Sequence, residues 1–379
     1  MKIQQIAFEE NNWLNASQQG DINTANVQLV LAFGERKCLE KVQPFDHLRA
    51  LYPNAEIVIN STAGEIYQDK VYSDTITVTA IEFEKVVIKT TQVSIQNHLQ
   101  SSEVGEKLAQ NLITDDLAAI FIISDGANVN GSELIAALNK KTNNKIPMSG
   151  GLAGDDARFE KTLVGLNQNP TSGNIVGIGF YGDSLKIGHG TMGGWEGFGP
   201  EREVTESEYN VLYRIGDKAA LDIYKEYLGK YADELPGAAL LFPLSMRATE
   251  DDEPVVRTIL SIDEDKKSMT FAGDMPKGAL VRFMKANLDR VIDASAEAAQ
   301  NAILDFNNAP ELAILVSCVG RKLVMGQRTE EEVEAVREIF GDKTVITGFY
   351  SYGEMSPHNP NARCELHNQT MTITTFSEL

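Results

Sequence analysis

The stretch Ile59–Ile66, INSTAGEI, follows a short apolar run and places a glycine directly before a carboxylate. The same pattern returns in GGLAGDD at Gly150–Asp156 and in FYSYGEM at Phe349–Met355. A glycine permits a tight or left-handed backbone at the end of a strand. The three stretches, called the Gly-acid loops below, therefore predict equivalent loops in an internally duplicated fold.

The segments around these loops also repeat along the chain. VQLVLAF at Val27–Phe33 and LAAIFIIS at Leu117–Ser124 are short apolar runs, which predict buried strands. LAILVSCVGRK at Leu312–Lys322 matches LVLAFGERK at Leu29–Lys37 in pattern and in its basic ending. After such a run, apolar residues recur at helical spacing, as in EEEVEAVREIF at Glu330–Phe340. We predict an α/β fold of duplicated strand–helix–strand–strand units, with helices covering mixed β-sheets.

The order of the segments predicts two domains in the 379 residues. The first spans 1–230 and holds two copies of the unit. The second spans 231–379 and holds a strand meander with a helix, followed by a partial third copy. The period is too long for a stacked solenoid, so the copies are expected to be packed subdomains.

One glycine pattern needs a separate interpretation. GIGFYG at Gly177–Gly182 satisfies the dinucleotide-binding pattern. That pattern requires a turn between a strand and a helix, whereas these glycines lie inside an alternating strand. They predict close backbone approach rather than nucleotide binding.

Composition restricts the function. The formal net charge of −20 gives no electrostatic basis for binding nucleic acid or an anionic membrane. The first residues carry no signal-peptide pattern, and no apolar stretch is long enough to span a bilayer, which predicts a cytoplasmic protein. The three cysteines lie far apart and have no zinc or redox spacing.

Several stretches, taken in their order along the chain, resemble the FIST family of bacterial sensory proteins, which have an N-terminal and a C-terminal FIST domain. The strongest are STAGEI at Ser61–Ile66, SGGLAGDD at Ser149–Asp156, SCVGRK at Ser317–Lys322 and GFYSYGEMSP at Gly348–Pro357. Further matches lie at Gly199–Gly229, Val255–Asp263, Phe271–Asn287 and Glu365–Glu378. The resemblance extends from about Val27 to the end of the chain.

This resemblance implies a ligand sensor without catalysis of its own. The layout resembles most the stand-alone members that bind haem, sense nitric oxide and regulate a partner histidine kinase. Small ligands such as amino acids are the alternative that the family offers. The absence of an output segment in this sequence favours action on a separate partner protein.

A haem sensor needs an axial imidazole. We predict His367 as the haem-binding metal ligand, with His358 or His189 as alternatives; no C-x-x-C-H occurs, so the haem would be non-covalent. The simpler interpretations remain open: His367 as a hydrogen-bonded residue at a strand entrance, and His189 as part of a connector.

Arginines predict a different ligand. Arg247 and Arg257 flank an acidic loop, and Arg321 follows a predicted strand. A guanidinium fork can hold a carboxylate with two hydrogen bonds, which suits an amino acid. Alternatively, Arg247 and Arg257 pair with the neighbouring carboxylates.

The acids of the Gly-acid loops, Glu65, Asp155 and Glu354, also have two interpretations. They either shape equivalent loops or rim a ligand pocket, because ligands of α/β folds favour crevices at strand ends. Two other classes of function stay open. A hydrolase would use Cys318 or a serine beside His367, and a scaffold would bind only protein.

Overall fold

A computed structural model describes residues 1–235, 237–249, 252–358 and 362–379, without the side chains of 15 and 16. In this part of the chain, one unit of secondary structure occurs three times. The first unit comprises β1 (Lys2–Glu9), β2 (Asn12–Gln19), β3 (Leu29–Glu35), α1 (Arg36–Val42), α2 (Phe45–Leu51), β4 (Glu56–Thr62), β5 (Glu65–Tyr67), β6 (Lys70–Tyr72) and β7 (Ile76–Glu82).

The second unit follows directly. It comprises β8 (Val87–Ser94), α3 (Ser101–Leu112), β9 (Leu117–Ser124), α4 (Gly131–Thr142), β10 (Met148–Leu152), β11 (Val164–Leu166) and β12 (Asn174–Tyr181). All of GIGFYG except Gly182, which directly follows the strand, lies within β12, as predicted, and Gly177 faces Leu108 and Leu112 of α3. A side chain at Gly177 would crowd these leucines, so the glycine permits close packing of helix on sheet.

The third unit is interrupted by an insertion. It begins with β13 (Leu185–Met192) and resumes with α6 (Leu288–Asn301), β22 (Leu312–Cys318), α7 (Val319–Met325), α8 (Thr329–Phe340), β23 (Val345–Ser351), β24 (Gly353–Pro357), β25 (Cys364–His367) and β26 (Met371–Glu378). The insertion comprises β14 (Glu196–Glu208), β15 (Val211–Ile215), β16 (Lys218–Ala219), α5 (Ala220–Leu228), β17 (Leu244–Arg247), β18 (Val255–Arg257), β19 (Ile259–Asp263), β20 (Ser268–Phe271) and β21 (Leu280–Lys285).

Each unit builds the centre of one six-stranded sheet. The strand orders are β11-β4-β3-β7-β1-β2, β25-β24-β10-β9-β12-β8 and β13-β26-β22-β23-β5-β6, called the first, second and third sheets. In all three, a parallel pair lies beside an antiparallel strand, as in β4-β3-β7. The predicted class, α/β with mixed sheets and duplicated units, is confirmed.

The units exchange strands in a cycle. The strand after each Gly-acid loop leaves its own sheet: β5 pairs with β23, β11 with β4 and β24 with β10. Each unit therefore contributes strands to a neighbour's sheet, and the three sheets surround one shared core. The rings of Phe33 and Phe349, from the first and third sheets, lie 4.9 Å apart in this core.

The helices cover the outer faces of the sheets. Residues of β3 alternate between the shared core, as with Leu31, and the layer under α1 and α2, as with Val30. Both faces of the strand are buried, which explains why the sequence shows a continuous apolar run rather than alternation.

The insertion forms a sheet of its own, called the inserted sheet, in the order β18-β17-β21-β14-β15-β20-β19 with β16 beside β15. Its core packs around α5, with Leu221 and Tyr224 fully buried. Strands from both sides of the predicted 230/231 boundary share the third sheet, because β13 pairs with β26. The segment at Leu185 thus opens the third unit, whereas the sequence pattern assigned it to the second.

Candidate functional site

A cleft of about 510 Å³ lies where α4 and β25 face the inserted sheet. This volume falls within the range of small-molecule sites. We call it the arginine cleft. Its charged lining consists of Lys140, Arg247, Arg257 and Arg363 together with Asp252, Glu253, Asp274 and Glu365. Two of the three arginines predicted to bind ligand, Arg247 and Arg257, therefore come together in one cleft.

Arg257 ends β18 and connects the inserted sheet to the second sheet. Its Nη1 donates to the carbonyl oxygens of Leu366 in β25, at 3.0 Å, and of Val256, at 3.3 Å. Its Nε donates to the carbonyl oxygen of Asp274 at 3.2 Å. Among the described residues, Nη2 has no hydrogen-bond partner. The side chain is thus fixed by the backbone on one side and retains one donor group.

The charge of Arg257 is buried without a matching carboxylate among the described residues. The residue is only 6% exposed, and no described carboxylate oxygen lies within 4.0 Å of its guanidinium. Burial lowers its pKa to about 10, although Asp274 and Glu365 oppose the shift from a greater distance. The group stays protonated at neutral pH. A buried cation without an anion is costly, and a bound anion would relieve that cost.

The other arginines of the cleft have carboxylate partners. Arg247 Nη2 lies 2.5 Å from Glu201 Oε2, and Arg363 Nη2 lies 2.9 Å from Glu365 Oε1. The alternative interpretation of Arg247, pairing with a carboxylate, agrees with this contact, in which the acid is Glu201 of β14.

Arg321 lies elsewhere, fully buried beneath the third sheet. Its Nη2 is 2.8 Å from Glu332 Oε2, and it also donates to the carbonyl oxygens of Gly193 and Val291, at 2.7 and 2.8 Å. Glu332 in turn accepts hydrogen bonds from the hydroxyls of Ser317 and Tyr350. Arg321 therefore joins α6, α7 and α8, a role different from the predicted ligand contact.

The Gly-acid loops meet at one end of the shared core. Backbone hydrogen bonds connect each loop to the other two: Gly154 N to Ser61 O at 3.0 Å, Ala63 N to Tyr350 O at 2.8 Å, and Tyr352 N to Leu152 O at 3.2 Å. We call this ring of contacts the loop hub. It explains the repetition of the pattern, because three equivalent loops close the interface between three units.

The loop carboxylates point into the protein and not into a cleft. Glu65 and Glu354 are fully buried and accept hydrogen bonds from hydroxyls, such as Thr75 to Glu65 at 2.7 Å and Ser351 to Glu354 at 2.6 Å. Burial raises the pKa of Glu65 to about 7 and that of Glu354 to about 8, and these hydrogen bonds only partly oppose it. Both carboxylates therefore belong to the hub rather than to the predicted pocket rim.

Asp155, the third loop acid, is ion-paired. Arg36 Nε and Arg158 Nε donate to its Oδ1 at 2.7 and 2.8 Å. Burial alone would raise the pKa of Asp155, but the hydrogen bonds from Arg158 and Arg36 lower it. Its carboxylate is fully buried as well, so it too is engaged within the chain.

The structure brings His358 and His367 together, with ring centroids 4.5 Å apart and perpendicular planes. His367 is fully buried, and its Nε2 lies 2.9 Å from the carbonyl oxygen of Ser356. Since a carbonyl accepts, Nε2 carries the proton. Burial, with His358 and Arg257 nearby, lowers the pKa of His367 to about 3, although Ser356 opposes the shift. His367 is a neutral, hydrogen-bonded histidine at the end of β25.

These histidines do not fit the predicted haem. An axial ligand must direct a nitrogen lone pair into a cavity that holds the porphyrin. With Nε2–H on Ser356, the lone pair of His367 is on Nδ1, which is buried without a hydrogen-bond partner among the described residues. His189, which is 7% exposed, has a pKa lowered to about 4 by burial. None of His189, His358 and His367 lines the arginine cleft or the two other clefts of several hundred Å³ in the described residues.

Cys318 does not resemble an activated nucleophile. It is buried at the end of β22, and burial, reinforced by Glu354, raises the pKa of its thiol. A catalytic cysteine needs the opposite environment, because the thiolate is the reactive form.

The sequence interpretation missed part of the arginine cleft. Lys140 sits on an ordinary amphipathic helix, α4, and Arg363 follows a loop without a motif. Asn139, beside Lys140, donates from Nδ2 to the carbonyl oxygen of Cys364 at 2.7 Å and so attaches α4 to β25. A local sequence pattern cannot predict this cleft, because the cleft forms only when segments distant in the sequence pack together.

Two family profiles cover most of the chain. The FIST N domain matches residues 28–218, and the FIST C domain matches residues 220–357. The predicted family is therefore confirmed. No helix among the described residues has the length and apolar character needed to cross a bilayer.

Individual relatives are distant. The uncharacterized protein MJ1623 of Methanocaldococcus jannaschii is 23% identical over 338 residues, which cover 81% of this chain and 62% of that protein. Among solved structures, cyanuric acid hydrolase from A. caulinodans matches with a TM-score of 0.37 and 8% identity, over 94% of this chain and 91% of that chain. A likeness this weak supports no conclusion on activity.

Proposed function

Because the chain belongs to the FIST family, whose domains are signal-transduction sensors for small ligands, we propose that it binds a small carboxylate of the amino-acid type in the arginine cleft. The ligand-bound state is passed to a separate signalling protein, such as a histidine kinase. The role is binding rather than catalysis.

The buried guanidinium of Arg257 carries this proposal. Among the described residues, its nitrogens bond only to backbone carbonyls and no carboxylate lies within 4.0 Å, and the side chain lines a cleft of about 510 Å³. A ligand carboxylate would supply the missing anion and accept a charge-assisted hydrogen bond from Nη2.

The remaining charges of the cleft favour a zwitterion over a simple anion. Asp252, Glu253 and Asp274 contribute carboxylates to the same lining. A purely anionic ligand would be repelled by these groups, whereas an α-ammonium group would be attracted to them. Arg257 and these carboxylates together would complement the carboxylate and the ammonium group of an amino acid.

The position of the cleft suggests how binding could be transmitted. One wall is formed by α4 and β25, and the other by β17 and β18 of the inserted sheet. A ligand that contacts both walls stabilises the arrangement in which they are close, and so shifts the equilibrium between packings of the two bodies. The net charge of −20 would steer a partner with a basic docking surface.

Haem and nitric oxide, which the resemblance also implies, have no comparable support, because the imidazole of His367 is buried and bonded to Ser356. The amino-acid ligand is therefore the function that the geometry favours.

A thermal-shift screen with the proteinogenic amino acids tests the proposal. A ligand at a hundredfold excess over its Kd stabilises the folded state by about 2.7 kcal/mol, which raises the melting temperature measurably. We expect at least one amino acid to stabilise the wild type and to lose this effect in Arg257→Met.

Arg49→Met is the matched control. Arg49 also donates to backbone carbonyls, those of Pro53 and Ala55, but it lies outside the clefts described above. Its variant should keep the ligand-induced shift. The proposal fails if no amino acid stabilises the protein, or if Arg257→Met responds as strongly as the wild type.

A further inference from the structure

A second cleft, of about 380 Å³, lies on the other side of Asp274. It is formed by residues 126–131, which are the loop before α4 and the first residue of this helix, and by two segments of the inserted sheet, 208–211 and 271–274. We call it the aromatic cleft. Asp274 lines both clefts, and its Oδ1 accepts a hydrogen bond from Asn130 Nδ2 at 3.0 Å.

Aromatic side chains define this cleft. The rings of Phe159 and Tyr352 stack with centroids 4.6 Å apart and an interplanar angle of 21°. The Tyr352 hydroxyl accepts from Phe159 N at 3.0 Å and donates to Asp156 O at 3.2 Å, which fixes the pair. Tyr209 adds a third aromatic ring from the inserted sheet and is 60% exposed. These rings offer flat faces to a bound molecule.

The aromatic cleft differs in charge from the arginine cleft, whose lining combines four basic with four acidic side chains. Its described lining has no lysine or arginine, contains the imidazole of His98 and includes the carboxylates of Glu208 and Asp274. Asp274 has no cationic partner within 4.0 Å among the described residues, and its Oδ2 accepts no hydrogen bond from them. Among the described residues, the cleft therefore combines aromatic faces with carboxylates that form no ion pair.

We propose that the aromatic cleft is a second binding site, for a small planar aromatic molecule that carries a cationic amine. Its ring would stack on the aromatic wall formed by Tyr209, Phe159 and Tyr352, and its ammonium group would lie near Asp274 and Glu208. Aromatic faces attract cations as well as other rings, so the wall contributes to both parts of the ligand. The volume suits a small molecule of this class.

This inference does not depend on the arginine cleft as a ligand site. If both sites are occupied, Asp274 connects them, because its backbone oxygen holds Arg257 Nε and its carboxylate faces the aromatic cleft. Binding at one site would then influence the other.

Isothermal titration calorimetry with tryptamine tests the proposal on the full chain. Two matched probes separate the contributions of ring and charge: indole-3-acetate keeps the ring and reverses the charge, and cyclohexylethylamine keeps the charge without an aromatic ring. We expect tryptamine to bind more tightly than either probe, by about tenfold, since one such contact contributes about that factor.

Two variants locate the site. Tyr209→Ala removes an exposed ring, and Asp274→Asn keeps an acceptor for Asn130 while removing the charge; each should weaken tryptamine binding by about tenfold. Leu304→Ala, at an exposed position outside the cleft, should leave it unchanged. The inference is overturned if tryptamine does not bind, if indole-3-acetate binds equally well, or if both cleft variants bind tryptamine like the wild type.

Discussion

Arg257 and Leu366 are joined by a hydrogen bond from Nη1 to the carbonyl oxygen, 3.0 Å long, across the boundary between the inserted sheet and the second sheet. This contact connects the two bodies that form the arginine cleft. The same guanidinium retains a donor and a charge without a carboxylate partner among the described residues. Arg257 thus both connects the two sheets and offers a donor to the proposed ligand.

The buried pair of Arg321 and Glu332 should be essential for stability. Removing one partner of a buried ion pair leaves an uncompensated charge, which costs about 3–5 kcal/mol. Glu332→Gln and Arg321→Met should each lower the free energy of unfolding by about this amount in urea titrations. The double variant should lose less than the sum.

The ion pair of Arg328 and Glu331 is the control for these variants, because its side chains lie 2.8 Å apart and are exposed to solvent. Its removal should have little effect on the unfolding midpoint. Equal losses for the buried and exposed pairs would contradict the structural role of Arg321.

Glu354 should make stability depend on pH. Burial raises its pKa from 4.5 to about 8, and hydrogen bonds from Ser351 and Thr370 only partly oppose this shift. Because the folded state keeps the proton to a higher pH than the unfolded state, this group's stabilisation is complete below about pH 4.5 and is lost as the pH rises toward 8.

Glu354→Gln stays neutral at every pH and should lose less stability than the wild type between about pH 5 and pH 8, by roughly 2 kcal/mol or more. Glu65→Gln should act in the same direction, since the pKa of Glu65 is raised to about 7. Thermal unfolding across this range measures the effect. As a control, Glu297→Gln at an exposed position should show the same dependence of stability on pH as the wild type. If all variants show this same dependence, Glu354 and Glu65 are not protonated in the folded state as described.

Two glycines should be irreplaceable in the parallel strand pairs. Gly150 has φ +144°, and an added Cβ would lie 1.9 Å from the carbonyl oxygen of Ile122. At Gly348, the added Cβ would lie 1.9 Å from that of Leu315. Either glycine changed to alanine should destabilise the protein by at least about 2 kcal/mol, because backbone atoms must move.

Gly237→Ala provides the comparison, since no described atom beyond its chain neighbours lies within 4 Å of its added Cβ. Its melting temperature should stay close to that of the wild type. A small effect at both Gly150 and Gly348 would show that the parallel pairs pack less closely than described.

The sequence predicted the α/β class, the duplicated units and the family, because strand patterns and Gly-acid loops are local features. It could not predict that β5, β11 and β24 pair with a neighbouring unit's sheet, because strand pairing between distant segments has no local signature. For the same reason, it assigned Leu185 to the second copy rather than to the start of the third unit.

The predicted site could be recovered only in part. Arg247 and Arg257 share the arginine cleft because β17 and β18 are adjacent strands. The third arginine, Arg321, instead forms a buried ion pair with Glu332, which the packing of α8 brings next to it. An isolated arginine or histidine in a sequence does not reveal whether its polar atoms face a ligand, a carbonyl or an acid.

Haemin titration should give no stoichiometric Soret band that depends on His367. The imidazole donates Nε2–H to Ser356 and is fully buried, so iron coordination would require β24 and β25 to separate. Absorption spectra of the wild type and His367→Ala check this expectation. A one-to-one band that His367→Ala abolishes would contradict it.

Calorimetric titration of the wild type and Arg257→Met, with the amino acid that gives the largest thermal shift and with its carboxamide, tests the role of Arg257 most directly. The wild type should bind the free acid at least about tenfold more tightly than the carboxamide, since the carboxamide loses a charge-assisted hydrogen bond. Arg257→Met should bind the acid weakly and without this preference. Equal affinity of both proteins for the acid, or of the wild type for acid and carboxamide, would contradict the account.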